Sequence, residues 1–270
     1  VTRTWASRLR RVRPRGPRRT AVLGVVLGTL MAASAGADTL PGVHGEDNRH
    51  AVVMGGPDNV GDYPWPWQAI GRVNRGPGGF CSGALIAPDL VLTARHCMSD
   101  RTVGELPSES MHFVAGYRFG DYDAHGRAAE VLEPDAPGPV GDFAIIKLTK
   151  PLTIRPIPLA SPDDMNWHAA APSHALLASY SRDRPHLLSV DDQCIILGRT
   201  EDLLWRHNCD GPTGSSGAPI LVGTDKGLEK ARIAGITIGF ARSGPSPRGI
   251  MVPANVIRAF LRDHGIALQP

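Results

Sequence analysis

An all-β fold in two blocks, barrels or sandwiches, with one C-terminal helix, is what the 270 residues of this chain predict. Short apolar runs recur along the chain and are punctuated by Gly, Pro and Asp. Gly (31) and Pro (24) are abundant while aromatics reach only 6%, which favours many short elements joined by turns over long helices. A Pro-studded stretch separates the runs into two sets, so two β domains are expected and not one large one.

In chain order, residues 1–37 read as a secretion signal. Arginines from Arg3 to Arg19 precede an apolar run from Ala21 to Ala33, and Ala35-Gly-Ala37 supplies small residues for cleavage. That run is short for a membrane anchor, which needs about 20 apolar residues. The Arg18-Arg19 pair permits twin-arginine export. Residues 38–60, rich in Gly, Asp and Asn, read as an extended arm or short pro-segment.

A first β domain is expected over 61–150. Its strands are Ala69–Val73, Gly83–Ala87, Leu90–Thr93, Met111–Ala115 and Phe143–Leu148. After a linker over 151–172, a second domain over 173–270 offers Ala175–Ala178, Gln193–Leu197, Leu203–Trp205, Pro219–Val222, Ile233–Ile238 and Gly249–Val252. A helix follows from Pro253 to Arg262. Val256, Ile257, Phe260 and Leu261 share one of its faces, with Pro near its start and Gly265 as its stop.

The formal charge of +3 is misleading. Eight of the 29 basic residues lie in Val1–Ala37, which holds no acid, so the remainder carries 21 basic against 26 acidic side chains. That balance is not a nucleic-acid footprint. Four cysteines in an exported chain suggest two disulfides, with three connectivities open. Sequence neighbours pair best, Cys81 with Cys97 and Cys194 with Cys209, each closing a loop worth about 3 kcal/mol. No C-x-x-C or H-x-x-x-H spacing points to a metal, and none is expected.

Three short segments carry chemistry. Gly214-Ser-Ser-Gly-Ala-Pro219 offers Ser216 as a nucleophile, on a tight turn whose Gly214 and Ser216 amides can face a developing oxyanion. Ala218 breaks the G-x-S-x-G elbow of the α/β-hydrolases. A serine hydroxyl attacks only when a neutral imidazole takes its proton. In Leu92-Thr-Ala-Arg-His-Cys97, His96 follows a strand and precedes a cysteine that can pin it, a setting the other nine histidines lack. In Gly141-Asp-Phe-Ala-Ile-Ile-Lys-Leu148, Asp142 stands at the mouth of a buried strand, where it can fix an imidazole's tautomer. Each segment alone has an ordinary reading as a flexible loop, a surface histidine or a turn aspartate. Together they run in the order His, Asp, Ser.

On these residues the chain resembles the chymotrypsin/trypsin clan. Cys81-Ser-Gly-Ala-Leu-Ile and Leu92–Cys97 are similar to that family's histidine region, Asp142–Leu148 to its aspartate strand and Gly214–Pro219 to its serine loop. Tyr63–Ile70 is similar to its first-strand region. Glu46-Asp-Asn-Arg49 and Asn208–Gly217 resemble the bacterial branch that includes the glutamyl endopeptidases. The resemblance spans roughly Asp47 to Arg262. It implies two six-stranded antiparallel β-barrels of the trypsin-like serine protease type with a C-terminal helix. It also implies a catalytic triad of His96, Asp142 and Ser216 between the barrels, and an oxyanion hole from Gly214 and Ser216.

The chain departs from the pattern at two places. Ser215 stands where animal members carry the aspartate that pairs with the freed N-terminal amine, so that ion pair cannot form here. Arg95 replaces the usual alanine before the histidine, and its charge must reach outward unless the local packing differs. For specificity, Asp210 lies six residues before the nucleophile, where trypsin-like members place the acid that binds Arg or Lys. Cys209 beside it implies a different frame. Thr237, in the wall strand Ile236–Phe240, stands where the glutamyl branch places a histidine, which weakens a preference for Glu.

The expectation is an endopeptidase, secreted or periplasmic, acting on polypeptides as a monomer. It should need no cofactor, bind no nucleic acid and leave the membrane once its signal is cleaved. The competing readings are a non-catalytic binding module on the same scaffold and an esterase using the same triad.

Overall fold

In the computed structural model of the protein, the described residues are 40–52, 63–165, 173–241 and 248–268. The expected signal segment lies outside them, as do 53–62 of the arm and its neighbour and 166–172 of the linker. The chain begins with a short strand, β1 (His50–Ala51). The first domain contains β2 (Ile70–Asn74), β3 (Phe80–Ala87), β4 (Leu90–Thr93), the two-residue strands β5 (Ser99–Asp100) and β6 (Gly104–Glu105), then β7 (His112–Ala115), β8 (Ala124–Leu132) and β9 (Ala144–Leu148). Strands β2-β3-β4-β9-β8-β7 close into a six-stranded antiparallel barrel. β5 and β6 form a separate ribbon beside it.

The second domain contains β10 (Ser173–Ser181), β11 (Arg184–Arg199), β12 (Trp205–His207), β13 (Pro219–Val222), β14 (Arg232–Ala241) and β15 (Arg248–Pro253). The order β11-β10-β13-β14-β15-β12 returns to β11 and closes a second antiparallel ring of six. Closure removes the exposed edges that would otherwise pair with other chains. Both barrels fill with Ile, Leu and Val, and fully buried Tyr63, Phe113, Phe143 and Tyr180 add bulk.

The strands expected from apolar runs are present except Leu203–Trp205, where Leu203 is exposed at φ +64° and the strand runs from Trp205 to His207; two further stretches were not anticipated. β8 reads Ala-His-Gly-Arg-Ala-Ala-Glu-Val-Leu, and its inward positions are small. Gly126 lies flush against Leu148, whose side chain would meet an added Cβ at 2.8 Å, so the partner strand supplies the bulk. β11 begins at Arg184, nine residues before the apolar run, and its polar first half pairs with β10 and β1.

Residues 40–52 are an integral part of the second domain. β1 adds to β11 with His50 opposite Val190, and Val43 and Arg49 are buried. The described part of the linker is likewise strapped down. Ile157 N–H donates to Leu85 of the first barrel, and Ala160 N–H to Ile233 of the second. The linker's own Ile154, Ile157 and Leu159 are buried.

The helix α1 (Ala254–Asp263) starts one residue later than expected, because Pro253 caps it. Ile257 and Leu261 are buried and Val256 and Phe260 are half-buried, as the spacing requires. Gly265 ends it at φ +69°. Its N–H donates to Arg262 O and Ile266 N–H to Leu261 O, a glycine stop that satisfies the last carbonyls. Phe260 meets Phe143 edge to face at 5.2 Å between ring centroids. Through this contact the helix braces the residue next to Asp142.

Candidate active site

The histidine is placed by covalent and hydrogen-bonded fixtures. β4 delivers Thr93, after which Arg95–Met98 make one 3-10 turn. Cys97 is bonded to Cys81 on β3, with 6.3 Å between Cα atoms, so the turn cannot drift from the barrel wall. Asp142, at the mouth of β9, accepts the His96 backbone N–H at 2.9 Å and contacts ring Nδ1 at 2.8 and 3.1 Å. An ionised carboxylate only accepts, so Nδ1 carries the proton and Nε2 presents its lone pair. The Asp142 side chain is 22% exposed, and that of His96 is 45% exposed, open to a substrate.

The serine loop is tied to the same corner. Ser82, beside Cys81, donates its N–H to Ser216 O at 2.9 Å. Its buried hydroxyl accepts Tyr180 N–H at 2.9 Å and shares its proton between Gly214 O (3.1 Å) and Tyr180 O (3.2 Å). Thr93 Oγ1 donates to Ser82 O at 2.7 Å. Gly217 completes the seam at φ +80°. A Cβ there would come within 2.3 Å of Thr93 Oγ1 and 2.6 Å of Ala94 N, so only glycine lets the loop lie against the strand that leads into His96. The serine loop is thereby tied to the strand that leads into His96, although among the described residues no hydrogen bond joins Ser216 to His96.

The backbone amides of the loop alternate in their use. Ser215 N–H donates to Pro212 O and Gly217 N–H to Thr237 O. Among the described residues the Gly214 and Ser216 amides donate to no protein acceptor, and Ser216 Oγ has no hydrogen-bond partner. Those two amides are the pair the sequence assigns to an oxyanion hole. Open grooves of ≈ 520 Å³ and ≈ 810 Å³ adjoin Asp142 and Pro139 from two directions, the first also touching His96 and the second bounded by Ile238–Phe240. Neither groove is lined by Ser216. A third hollow of ≈ 700 Å³, between Ile86–Leu90 and Ile266–Ala267, contains none of these residues.

The structure gives Asp210 a different task from the one expected. It is buried, and its two oxygens accept His44 N–H at 2.7 Å and Asn48 N–H at 3.0 Å. The carboxylate thus anchors the N-terminal arm and does not offer its charge to a substrate Arg or Lys. Thr237 does stand beside the nucleophile, since its N–H and C=O pair with Ala218 and Gly217. Its hydroxyl, however, turns inward to His207 Nε2 at 3.1 Å. His207, which sequence reasoning passed over, is fully buried, and its Nδ1 accepts Cys209 N–H at 3.2 Å. Burial holds its pKa down to about 3, with nearby His44 acting in the same direction.

Ser215 is also buried and donates to Ser179 Oγ at 2.9 Å, a neutral contact in place of an ion pair. Arg95 does reach outward, to Glu133 at 3.0 Å and Pro134 O at 3.2 Å. The second disulfide joins Cys194 and Cys209 as the spacing suggested. Cys81, His96 and Cys97 lie close enough to suggest a metal cluster, but both sulfurs are spent in the disulfide and no thiolate remains to bind an ion. Ser82 and Thr93, which tie the serine loop to the first barrel, were missed for want of any local signal beyond the small-residue run after Cys81.

Comparisons with known proteins bear on family and fold. The chain is 31% identical over 140 residues to glucanase inhibitor protein 1 of Phytophthora infestans, covering 52% of each chain. It is 35% identical over 82 residues to the CLIP domain-containing serine protease HP8 of Bombyx mori, covering 30% of this chain and 21% of that one. The chain thus spans about half the length of the first relative and about a fifth of the second. The solved structure of Glu endopeptidase in complex with MPD superposes with a TM-score of 0.62 at 18% identity, over 82% of this chain and 98% of that one, a likeness of fold. The family model described as Trypsin matches residues 54–259, and on that span the chain belongs to the trypsin family.

Proposed function

We propose that the protein is an exported serine endopeptidase with His96, Asp142 and Ser216 as its triad. The observation that carries this reading is the grip of Asp142 on both the ring and the amide of His96, which leaves Nε2 as a base facing solvent. In the reaction Ser216 Oγ attacks the scissile carbonyl as Nε2 takes its proton. Asp142 stabilises the imidazolium, and the carbonyl oxygen gathers charge toward the Gly214 and Ser216 amides. The imidazolium then protonates the leaving amine, and water, activated in the same way, hydrolyses the acyl-enzyme. The chemistry calls for no metal or organic cofactor. Two disulfides suit an oxidising compartment, in keeping with a secreted or periplasmic enzyme. With Asp210 committed to the arm, selection of Arg or Lys would need another acid.

One finding favours a second reading. A matched relative is named an inhibitor, so the scaffold can serve binding alone. A fluorophosphonate probe separates the two. The protease reading expects stoichiometric labelling of the protein, abolished in Ser216→Ala, and cleavage of a peptide mixture. A folded protein that neither labels nor cleaves supports the binding module. Labelling with turnover of simple esters but not peptides supports an esterase.

A further inference from the structure

The N-terminal arm touches the serine loop at more places than a passing segment requires. Asp210, at the loop's upstream end, accepts two arm amides, and its own N–H donates to Asp191 at 2.8 Å. Gly211 N–H donates to Gly42 O at 2.8 Å. Gly42, at φ +95°, approaches so closely that an added Cβ would lie 2.6 Å from Gly211 O. Further along the loop, Arg182 N–H donates to Thr213 O at 2.8 Å, and Gly214 lies against Tyr180 O and the Ser181 Cα.

That second support is itself held by the arm. The Arg49 guanidinium, with its side chain 1% exposed, forks onto Asp47 (2.9 and 2.9 Å) and onto Asp183 (2.8 and 3.3 Å) and donates to Ser181 Oγ at 3.0 Å. All five of its N–H bonds are thereby engaged, a pattern the single ammonium of lysine cannot reproduce. Arg184 closes the clamp by donating to Arg49 O at 2.7 Å and Asp47 Oδ2 at 2.8 Å.

We infer that Arg49 and Asp210 are positioning residues of the active site, and that the arm over Gly42–Arg49 holds the serine loop in the shape that presents the Gly214 and Ser216 amides. This deepens the serine-hydrolase reading and rests on it. The need for such a device follows from Ser215. A buried neutral hydroxyl on Ser179 cannot fix the loop as a charge pair would, so the fixing charges stand instead at Asp210 and Arg49, outside the loop's tip. The arm therefore belongs to the working enzyme, and processing that removed residues through Arg49 would silence it.

The test compares wild type, Arg49→Met and Asp210→Asn by rate of fluorophosphonate labelling, resolved into kinact and KI. The low-field proton resonance of His96 Nδ1–H is followed in parallel. The expected result is a fall in kinact of about 10², the effect of losing one oxyanion donor, with KI little changed and the His96 resonance intact. A merely structural loss would move the resonance together with the rate. If Arg49→Met does not fold, the isosteric Asp210→Asn decides. Folded variants that label at the wild-type rate overturn the inference. A wild-type protein that never labels refutes the hydrolase reading first, visibly before any variant is made, and takes this inference with it.

Discussion

His207 makes the stability of the second barrel depend on pH in a way that can be calculated. The ring is buried between Thr237 Oγ1, Cys209 N–H and Gly249, where an added Cβ would meet it at 2.0 Å. Its pKa is about 3 in the folded protein, against 6.5 for an unperturbed histidine. Because the folded value is the lower one, the unfolded chain binds the extra proton below pH 6.5. Stability is therefore fully present above that pH and is lost as the pH falls toward 3. At about 1.4 kcal/mol per unit, the loss between pH 7 and pH 4 is about 3 kcal/mol from this residue. The assay is urea unfolding followed by tryptophan fluorescence, in a Ser216→Ala background to prevent self-digestion, with and without His207→Gln. Glutamine can accept from Cys209 and donate to Thr237 but does not titrate. Depressed carboxylates such as Asp47, held down chiefly by its hydrogen bond from Arg49, also weaken the fold in acid. They act equally in both proteins and cancel in the difference. The gap between the two stability curves should close or reverse by about 3 kcal/mol from pH 7 to pH 4. Parallel curves would refute the account of His207 as a buried neutral ring.

Two further substitutions probe the seam. Gly217→Ala forces a Cβ onto Thr93 Oγ1 at φ +80° and should cost about 1–3 kcal/mol in strain while nearly abolishing labelling; wild-type thermal unfolding and labelling together would remove the close-packing argument. Asp142→Asn keeps the shape but lets the amide nitrogen oppose Nδ1–H, stabilising the wrong tautomer, and should lower kcat by about 10⁴ with little change in folding. Peptide turnover within tenfold of wild type would mean that Asp142 does not orient the base.

Two barrels, a helix and both disulfide pairings were legible because each rests on local chemistry. Ile145-Ile146 can only be a buried strand in this setting, Gly265 can only be a stop, and Cys81 and Cys97 lie close enough in sequence to pair. What was not legible depends on partners far away in the chain. β8 has no apolar run to announce it because its bulk is supplied by Leu148 on a neighbouring strand. The position of Asp210, six residues before Ser216, suggested a substrate-binding acid. Its real partners lie more than 160 residues upstream, in a segment whose composition reads as an extended arm. Arg49 was noticed within a motif, but nothing local says that Asp183 and Ser181 will complete its coordination. His207 carries no signal at all, since a buried neutral histidine and a surface one are spelled alike.

These long-range contacts converge on the seam between the two barrels. Ser216 is carried by the second barrel, yet its carbonyl is bound by Ser82 of the first, and Gly217 rests on Thr93 and Ala94 of the first. His96 and Asp142 belong wholly to the first barrel. The proposed nucleophile and the proposed base therefore belong to different barrels, and the buried hydroxyl of Ser82, on the first, bonds Tyr180 and Gly214 of the second. Losing one partner of a buried hydrogen-bonded group costs about 1–3 kcal/mol. Removing the Ser82 hydroxyl therefore loosens the serine loop against the first barrel, while the continuous core and the two disulfides, one in each barrel, remain. For the proposed triad, fluorophosphonate labelling of Ser82→Ala should therefore be lost at milder conditions than its secondary structure, and loss of the two together would remove the argument from the seam.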